Sequence, residues 1–320
     1  MTLETDAMSD LPPAATATAP KATRPLFWSV RRELWENRSL YFAPATVSAV
    51  MLIAMVIGVG RILAAHPDLS RHDAPNPAML ALPYDFAAVA IMLTSFIVAI
   101  FYCLGALHNE RRDRSILFWK SLPVSDATAV LSKALVPLAV LPAIAYVTTV
   151  VTQLVILLLS MVAGAVAGLP ASTWMQTPFG DLTLVLVYGL VTQTLWLAPF
   201  WGWLLLVSAW SRRAPFLWAF LPPLAVCLVE KVALGSSHFA DLLGYRIGGG
   251  FHEAFVEPMR NVVRTTGPHM VVNGSPFPQV GVGDLDPARF ILAPGLWAGL
   301  AVAVAFFFGA VWLRRRREPI

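Results

Sequence analysis

Residues 134–160 read ALVPLAVLPAIAYVTTVVTQLVILLLS, a stretch without a single charged side chain. A membrane-spanning helix needs about 20 predominantly apolar residues, so this stretch is long enough to cross a bilayer. The apolar sequence continues as far as Gly168, and Pro137 and Pro142 lie inside it. We therefore expect a membrane helix that tilts, bends at one of these prolines or projects beyond the bilayer.

The composition of the whole chain agrees with this expectation. Apolar residues make up 57% of the chain and charged residues only 13%, and the mean hydropathy is +0.67. Soluble domains carry about a quarter charged residues, so the fold class predicted is an all-α polytopic membrane protein. We predict six transmembrane helices, at residues 41–63, 86–107, 134–160, 182–209, 215–233 and 291–313.

Two kinds of sequence precede the first predicted span. Residues 1–25 are rich in Ala, Thr and Pro without an apolar core, which predicts a disordered tail and not a signal peptide. Residues 26–40 place Phe27, Val30 and Leu34 on one helical stripe with most charges opposite, which predicts an interfacial helix. Residues 26–320 are expected to form one transmembrane domain.

The basic residues predict the orientation. Sixteen of the 23 Lys and Arg residues lie before the first span, in 108–133, in 210–214 or after the last span. By the positive-inside rule these segments and both termini are cytoplasmic, and the 234–290 loop is outside. Short helices leaning on the membrane domain are expected in that loop, including a helix-compatible run over 251–263. This distribution explains the net charge of +4 without nucleic acid, and we expect a bacterial inner-membrane location.

One predicted cytoplasmic segment differs from an ordinary basic loop. Residues 110–126 read ERRDRSILFWKSLPVSD, so four apolar side chains from Ile116 to Trp119 stand among seven charged ones. Pro123 disfavours helix at Leu122, which predicts a short amphipathic helix over 113–122. Such a helix lies across the face of the membrane domain, where a soluble partner can bind it. The alternative is a plain positive-inside loop.

This segment resembles the corresponding part of permease subunits of ABC-2 type ATP-binding cassette transporters. The resemblance rests on the charged run from Glu110 to Arg114, on the apolar cluster, on Leu122-Pro123-Val124-Ser125 and on Lys133 before the next span. Many members have Gly-Thr where this chain has Arg114-Ser115. The interfacial helix, the six spans and the large loop between spans five and six are also similar to that family.

The resemblance implies that the helix over 113–122 is a coupling helix that docks on a separate ATPase chain. It also implies a second permease copy, most simply a homodimer, in contact with membrane lipid. The residues implied in ATPase coupling are Glu110, Arg111, Arg112, Asp113, Arg114, Ile116, Leu117, Phe118, Trp119, Lys120, Leu122 and Pro123. The chain has no G-x-x-x-x-G-K-[ST] sequence, so ATP and Mg would be bound by the partner ATPase. No catalytic, cofactor-binding or metal-binding residue is expected on this chain.

Two other functions stay open. Tyr84-Asp85 and the Gly-x-Gly-Asp sequence ending at Asp284 match those of intramembrane aspartyl proteases, whose chemistry needs two neighbouring carboxylates. The chain could also be a membrane scaffold that transports nothing. Separately, Gly295-x-x-x-Gly299 predicts a close approach between two helices.

Overall fold

The computed structural model of the protein describes residues 25–65, 77–113, 125–166, 179–256 and 280–316. These ranges are mostly helical, and within them the one β-type pairing is an isolated antiparallel bridge between Phe255 and Leu285. The α-helices are α1 (Pro25–Glu36), α2 (Ser39–Ala65), α3 (Pro77–Ala106), α4 (His108–Arg112), α5 (Asp126–Leu135), α6 (Leu141–Val166), α7 (Phe179–Trp196), α8 (Ala198–Trp210), α9 (Pro215–Val229), α10 (His238–Ala254), α11 (Pro287–Leu292) and α12 (Pro294–Arg316).

The predicted all-α architecture with six spans is confirmed. The six helical stretches that are long and apolar enough to cross a membrane are Ser39–Arg61, Leu82–Arg112, Asp126–Val166, Phe179–Trp196, Pro215–Leu234 and Pro294–Arg316. The helix expected before the first span is α1, which ends at Glu36 because the chain turns at Asn37 before α2 begins. The predicted disordered tail, up to residue 24, lies outside the described residues.

The third, the fourth and the fifth span each contain an irregular turn; in the fifth it is the π-helical turn Glu230–Leu234. The third is continuous from Asp126 to Val166 but changes to a π-helical turn at Val136–Val140, around one of the two prolines expected to bend it. Pro137 lacks a backbone N–H, so it cannot make the regular helical bond there. The fourth, predicted as one helix over 182–209, is interrupted at Leu197, where α7 ends and α8 begins just before Pro199.

Helix α8 lies at the centre of the bundle and packs against α3, α9 and α12. Its buried side chains include Trp201, Leu204 and Val207. A Cβ atom on Gly202 would lie 3.3 Å from the carbonyl oxygen of Ala303, so the missing side chain lets α8 and α12 approach closely. By contrast, only 6% of the apolar window of α2 and of the fifth span is buried within the chain. Most apolar side chains of these two helices are therefore not covered by the described part of the chain.

Polar side chains connect α2, α3 and α6. The hydroxyl groups of Ser48 on α2 and Thr152 on α6 are 2.6 Å apart, at hydrogen-bond distance. The Gln153 amide donates to the carbonyl oxygen of Tyr84 on α3, at 3.5 Å. In lipid, apolar helices gain little by exchanging contact with lipid for contact with each other. Hydrogen bonds between them therefore help to hold the helices together.

The prediction for the loop after the fifth span was wrong in its helix boundaries. The expected run over 251–263 was to follow three glycines, but α10 begins at His238 and continues through Gly248–Gly250 to Ala254. Helical glycine costs about 1 kcal/mol relative to alanine. Here Gly249 and Gly250 allow α10 to pack against the ring of Trp196 on α7. Residues 257–263 of the expected run lie outside the described residues.

A pair of glycine substitutions tests this packing. A Cβ atom on Gly250 would lie 2.9 Å from Trp196 Cγ, so Gly250→Ala should lower the free energy of unfolding by about 1–3 kcal/mol. Gly248 has no atom within 4 Å of its Cβ position, so Gly248→Ala should instead raise it by about 0.5–1 kcal/mol. Unfolding of the purified protein by SDS measures both, and equal effects would contradict this packing.

Candidate functional site: an ionic cluster at the basic end

Several segments rich in basic residues meet at one end of the bundle, which we call the basic end. It comprises α1, α4, α5, the 211–214 turn and the last turn of α12. Contacts of α5 with α1 and α12, and hydrogen bonds from α4 to Ala209 and Ser211, bring these segments together. Segments that the positive-inside rule assigns to the cytoplasm therefore do lie side by side.

The centre of the basic end is a buried ammonium group. Lys133 on α5 is 2% exposed, and its Nζ lies 2.8 Å from Glu33 Oε1 on α1 and 3.1 Å from Glu110 Oε1 on α4. Glu33 is 1% exposed and Glu110 9%. Two carboxylates from different helices thus compensate one cation that is shielded from water.

Two arginines extend this arrangement. Arg32 Nη2 lies 2.9 Å from Glu33 Oε1 and 3.1 Å from Glu110 Oε1. Arg314 donates through Nη1 to Glu110 Oε2 and through Nε to Asp126 Oδ1, the latter at 3.1 Å. The ionic cluster is defined here as Arg32, Glu33, Glu110, Asp126, Lys133 and Arg314.

Hydrogen bonds and nearby charges support the cluster. The Tyr102 hydroxyl donates to Glu33 Oε2 at 2.9 Å, so this carboxylate has partners on both of its oxygens. Burial alone would lower the pKa of Arg32, but the charges of Glu33, Glu36 and Glu110 outweigh it and raise that pKa. Arg32 therefore stays charged inside the cluster. The result is a network of alternating charges that joins α1, α3, α4, α5 and α12.

Helix α4 is also tied to the end of α8. The Ser208 hydroxyl accepts from the backbone N–H groups of Leu107 and His108, each at 3.0 Å, where α3 gives way to α4. Arg111, 3% exposed, donates to the carbonyl oxygens of Ala209 and Ser211. A cation is favourable there because the last carbonyl groups of a helix carry partial negative charge.

The segment between α4 and α5 is therefore held at both of its ends. Glu110 and Arg111 fix the chain before it, and Asp126 fixes the chain after it. Ser125 caps the start of α5, because its hydroxyl accepts from the Thr128 N–H at 3.1 Å. This segment is the one expected to contain the coupling helix.

The structure places four of the predicted coupling residues. Glu110 and Arg111 point into the bundle, whereas Arg112 and Asp113 are exposed and form an ion pair of 3.1 Å. The other eight lie outside the described residues, namely Arg114, Ile116, Leu117, Phe118, Trp119, Lys120, Leu122 and Pro123. Sequence reasoning missed the pairing of Glu33 with Lys133 and of Arg314 with Glu110 and Asp126. In the sequence, the one sign of these ion pairs is that charged residues lie next to long apolar runs.

The two aspartates of the protease hypothesis are not joined by any interaction. Asp284 Oδ2 accepts from the N–H of Gly281 at 2.9 Å, within its own turn. Asp85 lies in α3 and forms no ion pair with another described residue. The geometry gives the hypothesis no support, and it stays a prediction. Among the described residues, no group of three or more His, Cys, Asp or Glu side chains could hold a metal ion.

Comparison of the chain with protein-family models, curated proteins and solved structures gave no match.

Removal of the central cation tests the cluster. Lys133→Met would leave Glu33 with less compensation in a site closed to water, so the free energy of unfolding should fall by about 3–5 kcal/mol. Removing the acid as well, in Glu33→Gln with Lys133→Met, should restore part of this loss. SDS unfolding of the purified variants measures each value.

Arg112→Ala is the matched control, because it removes a cation from an exposed ion pair at the same end. Its effect should be below about 1 kcal/mol. A Lys133→Met variant as stable as this control would show that the buried pairs do not hold the basic end together.

Proposed function

We propose that the chain is the permease subunit of an ABC transporter of the ABC-2 type. In this proposal it forms the membrane path for export, and a separate ATPase chain hydrolyses ATP. The observation that carries the proposal is the attachment of the 114–124 segment, whose flanking residues Glu110 and Asp126 both bind Arg314. A segment anchored in this way can pass a displacement to the bundle.

The chemistry of the segment fits a soluble partner. Ile116, Leu117, Phe118 and Trp119 offer apolar area, and Arg112, Arg114 and Lys120 offer positive charge. Buried aromatic anchors supply most of the affinity in protein interfaces, and surrounding charges orient the partner. An ATPase that binds here would find its contact surface joined directly to α4 and α5.

The ionic cluster gives the displacement a route to the spans. If the ATPase moves α4 and α5, Glu110 and Lys133 carry the movement to Glu33 on α1 and to Arg314 on α12. Charged groups in a site closed to water cannot separate without a large desolvation cost, so the connected helices move together. The apolar faces of α2 and the fifth span are the surfaces proposed for lipid and for a second permease copy.

Docking of the ATPase can be tested at its proposed anchor. Trp119→Asp replaces an apolar ring by a charge, so the ATPase that co-purifies with the tagged chain from its own host should fall at least tenfold. The readout is MgATP hydrolysis in the purified complex and identification of a co-purified chain that carries a Walker A sequence.

Trp28→Asp is the control for docking, because Trp28 is an exposed aromatic residue on α1, at the same end of the bundle but outside the segment. The ATPase should stay bound to this variant. Retention of the ATPase by Trp119→Asp, or equal loss from both variants, would count against the coupling role.

Coupling can be separated from docking by a distance measurement. Spin labels at Ser39 on α2 and Arg315 on α12, with Cys103 and Cys227 replaced by alanine, report the positions of the first and last spans. A non-hydrolysable ATP analogue should shift this distance in the complex. The shift should disappear in Glu110→Gln with Arg314→Gln while the ATPase stays bound, because Glu110 and Arg314 are the link between α4 and α12.

The matched control for coupling neutralises an ion pair outside the ionic cluster and the coupling segment, in Glu253→Gln with Arg289→Gln. It should behave as the unaltered chain does. If the Glu110 and Arg314 substitutions leave the distance change intact, the ionic cluster does not transmit the movement.

A further inference from the structure

A cation of a different kind lies where α7, α10 and α12 meet. The guanidinium carbon of Arg246 on α10 is 4.9 Å from the centre of the Trp196 ring, and Nη1 donates to the carbonyl oxygen of Gly295 at 3.1 Å. Gly295 and Arg314 both belong to α12, so at 1.5 Å per residue they lie roughly 28 Å apart. Arg246 is therefore at the end of the last span opposite the ionic cluster.

Two glycines make room for these side chains. A Cβ atom on Gly299 would lie 1.1 Å from Arg246 Nη2, and one on Gly295 would lie 2.8 Å from the Tyr245 hydroxyl. The Gly295-x-x-x-Gly299 sequence was expected to let two helices approach closely. The structure shows that it accommodates the Arg246 and Tyr245 side chains instead.

The positive charge of Arg246 is not compensated within the described part of the chain. None of the ion pairs there includes this residue. Glu253, which is also on α10, lies 3.2 Å from Arg289 Nε and is committed to that cation. Partial burial lowers the pKa of the Arg246 guanidinium. Among the described residues, the one hydrogen-bond acceptor of Arg246 is the carbonyl oxygen of Gly295.

An open apolar groove of about 690 Å³ begins one helical turn from Arg246. It lies between the fifth span and α10, and Leu242 of α10 lines it together with Val226 and Val229. Glu230 also lines it, and its carboxylate accepts from the backbone N–H groups of His238 and Phe239. Residues 242 and 246 share a helix face at the i,i+4 spacing, so the Arg246 side chain leaves α10 on the same side as Leu242. Next to the groove, Leu228 and Val232 of the fifth span are also exposed.

We propose that Arg246 binds the phosphate of an anionic phospholipid whose acyl chain lies in the groove between the fifth span and α10. The geometry supplies a positioned guanidinium for the headgroup and an apolar channel for the tail. A guanidinium and a phosphate form strong hydrogen bonds of matching shape. This site does not depend on an ATPase, so it can be tested apart from the proposed transport function.

The experiment measures lipid binding to the full chain in a neutral detergent by native mass spectrometry. The probes are phosphatidylglycerol, which has a net negative headgroup, and phosphatidylcholine, whose cation opposes Arg246. The unaltered chain should prefer phosphatidylglycerol. Arg246→Gln should reduce its affinity about tenfold or more, and Arg246→Lys should retain part of it.

Two further variants separate the site from general charge effects. Lys231→Gln removes the same charge near the end of the fifth span and should leave binding unchanged. Gly299→Ala keeps every charge but displaces the Arg246 side chain, so it should weaken binding of phosphatidylglycerol.

Three results would overturn the proposal. Equal binding of both lipids by the unaltered chain would show that no anion site exists. Equal loss in Arg246→Gln and Lys231→Gln would show a diffuse attraction. Inorganic phosphate that binds in an Arg246-dependent way, without discrimination between the lipids, would show a site for soluble anions and not for a lipid. If Arg246→Gln does not fold, the Arg246→Lys and Gly299→Ala results decide between these outcomes.

Discussion

The structure of the basic end depends on the burial of one ammonium group. An isolated charge removed from water is unstable by several kcal/mol, and Lys133 is tolerated because Glu33 and Glu110 lie within 3.1 Å of it. Each carboxylate comes from a different helix, so α1, α4 and α5 must meet at one point. Buried ion pairs of this kind contribute little net stability compared with an apolar core, but separating them is costly. They therefore determine which helices stay together.

The spans themselves are held by weaker forces. Lipid tails are as apolar as leucine, so two apolar helices gain little by turning towards each other. Only 6% of the apolar window of α2 and of the fifth span is buried within the chain. The molecule thus combines a polar end linked by buried ion pairs with two spans that bury little apolar surface against the rest of the described chain. That combination suits a protein in which a movement applied at one face must reach the spans, as the proposed function requires.

Much of the fold could be predicted from local sequence, whereas most of the site could not. Apolar runs revealed the six spans, and Pro137 marked the turn in the third, because length and proline content act locally. The partnership of Lys133 with Glu33 joins residues 100 positions apart, which no local pattern shows. Arg111 was expected to orient a partner, but the carbonyl groups at the end of α8 bind it. Gly248–Gly250 were expected to precede a helix, but they lie inside α10, where Gly249 and Gly250 pack against Trp196.

The two ends of the last span differ in how positive charge is compensated. At the basic end, Arg314 has Glu110 and Asp126 as partners from the same chain. At the other end, Glu253 binds Arg289, while Arg246 has an aromatic face and one carbonyl oxygen. A carboxylate of the chain next to Arg246 would compete with any external anion for the same N–H groups. An external anion bound to Arg246 would place a compensating charge at the junction of α7, α10 and α12. It would draw these three helices together, as the Lys133 ammonium does for the helices of the basic end.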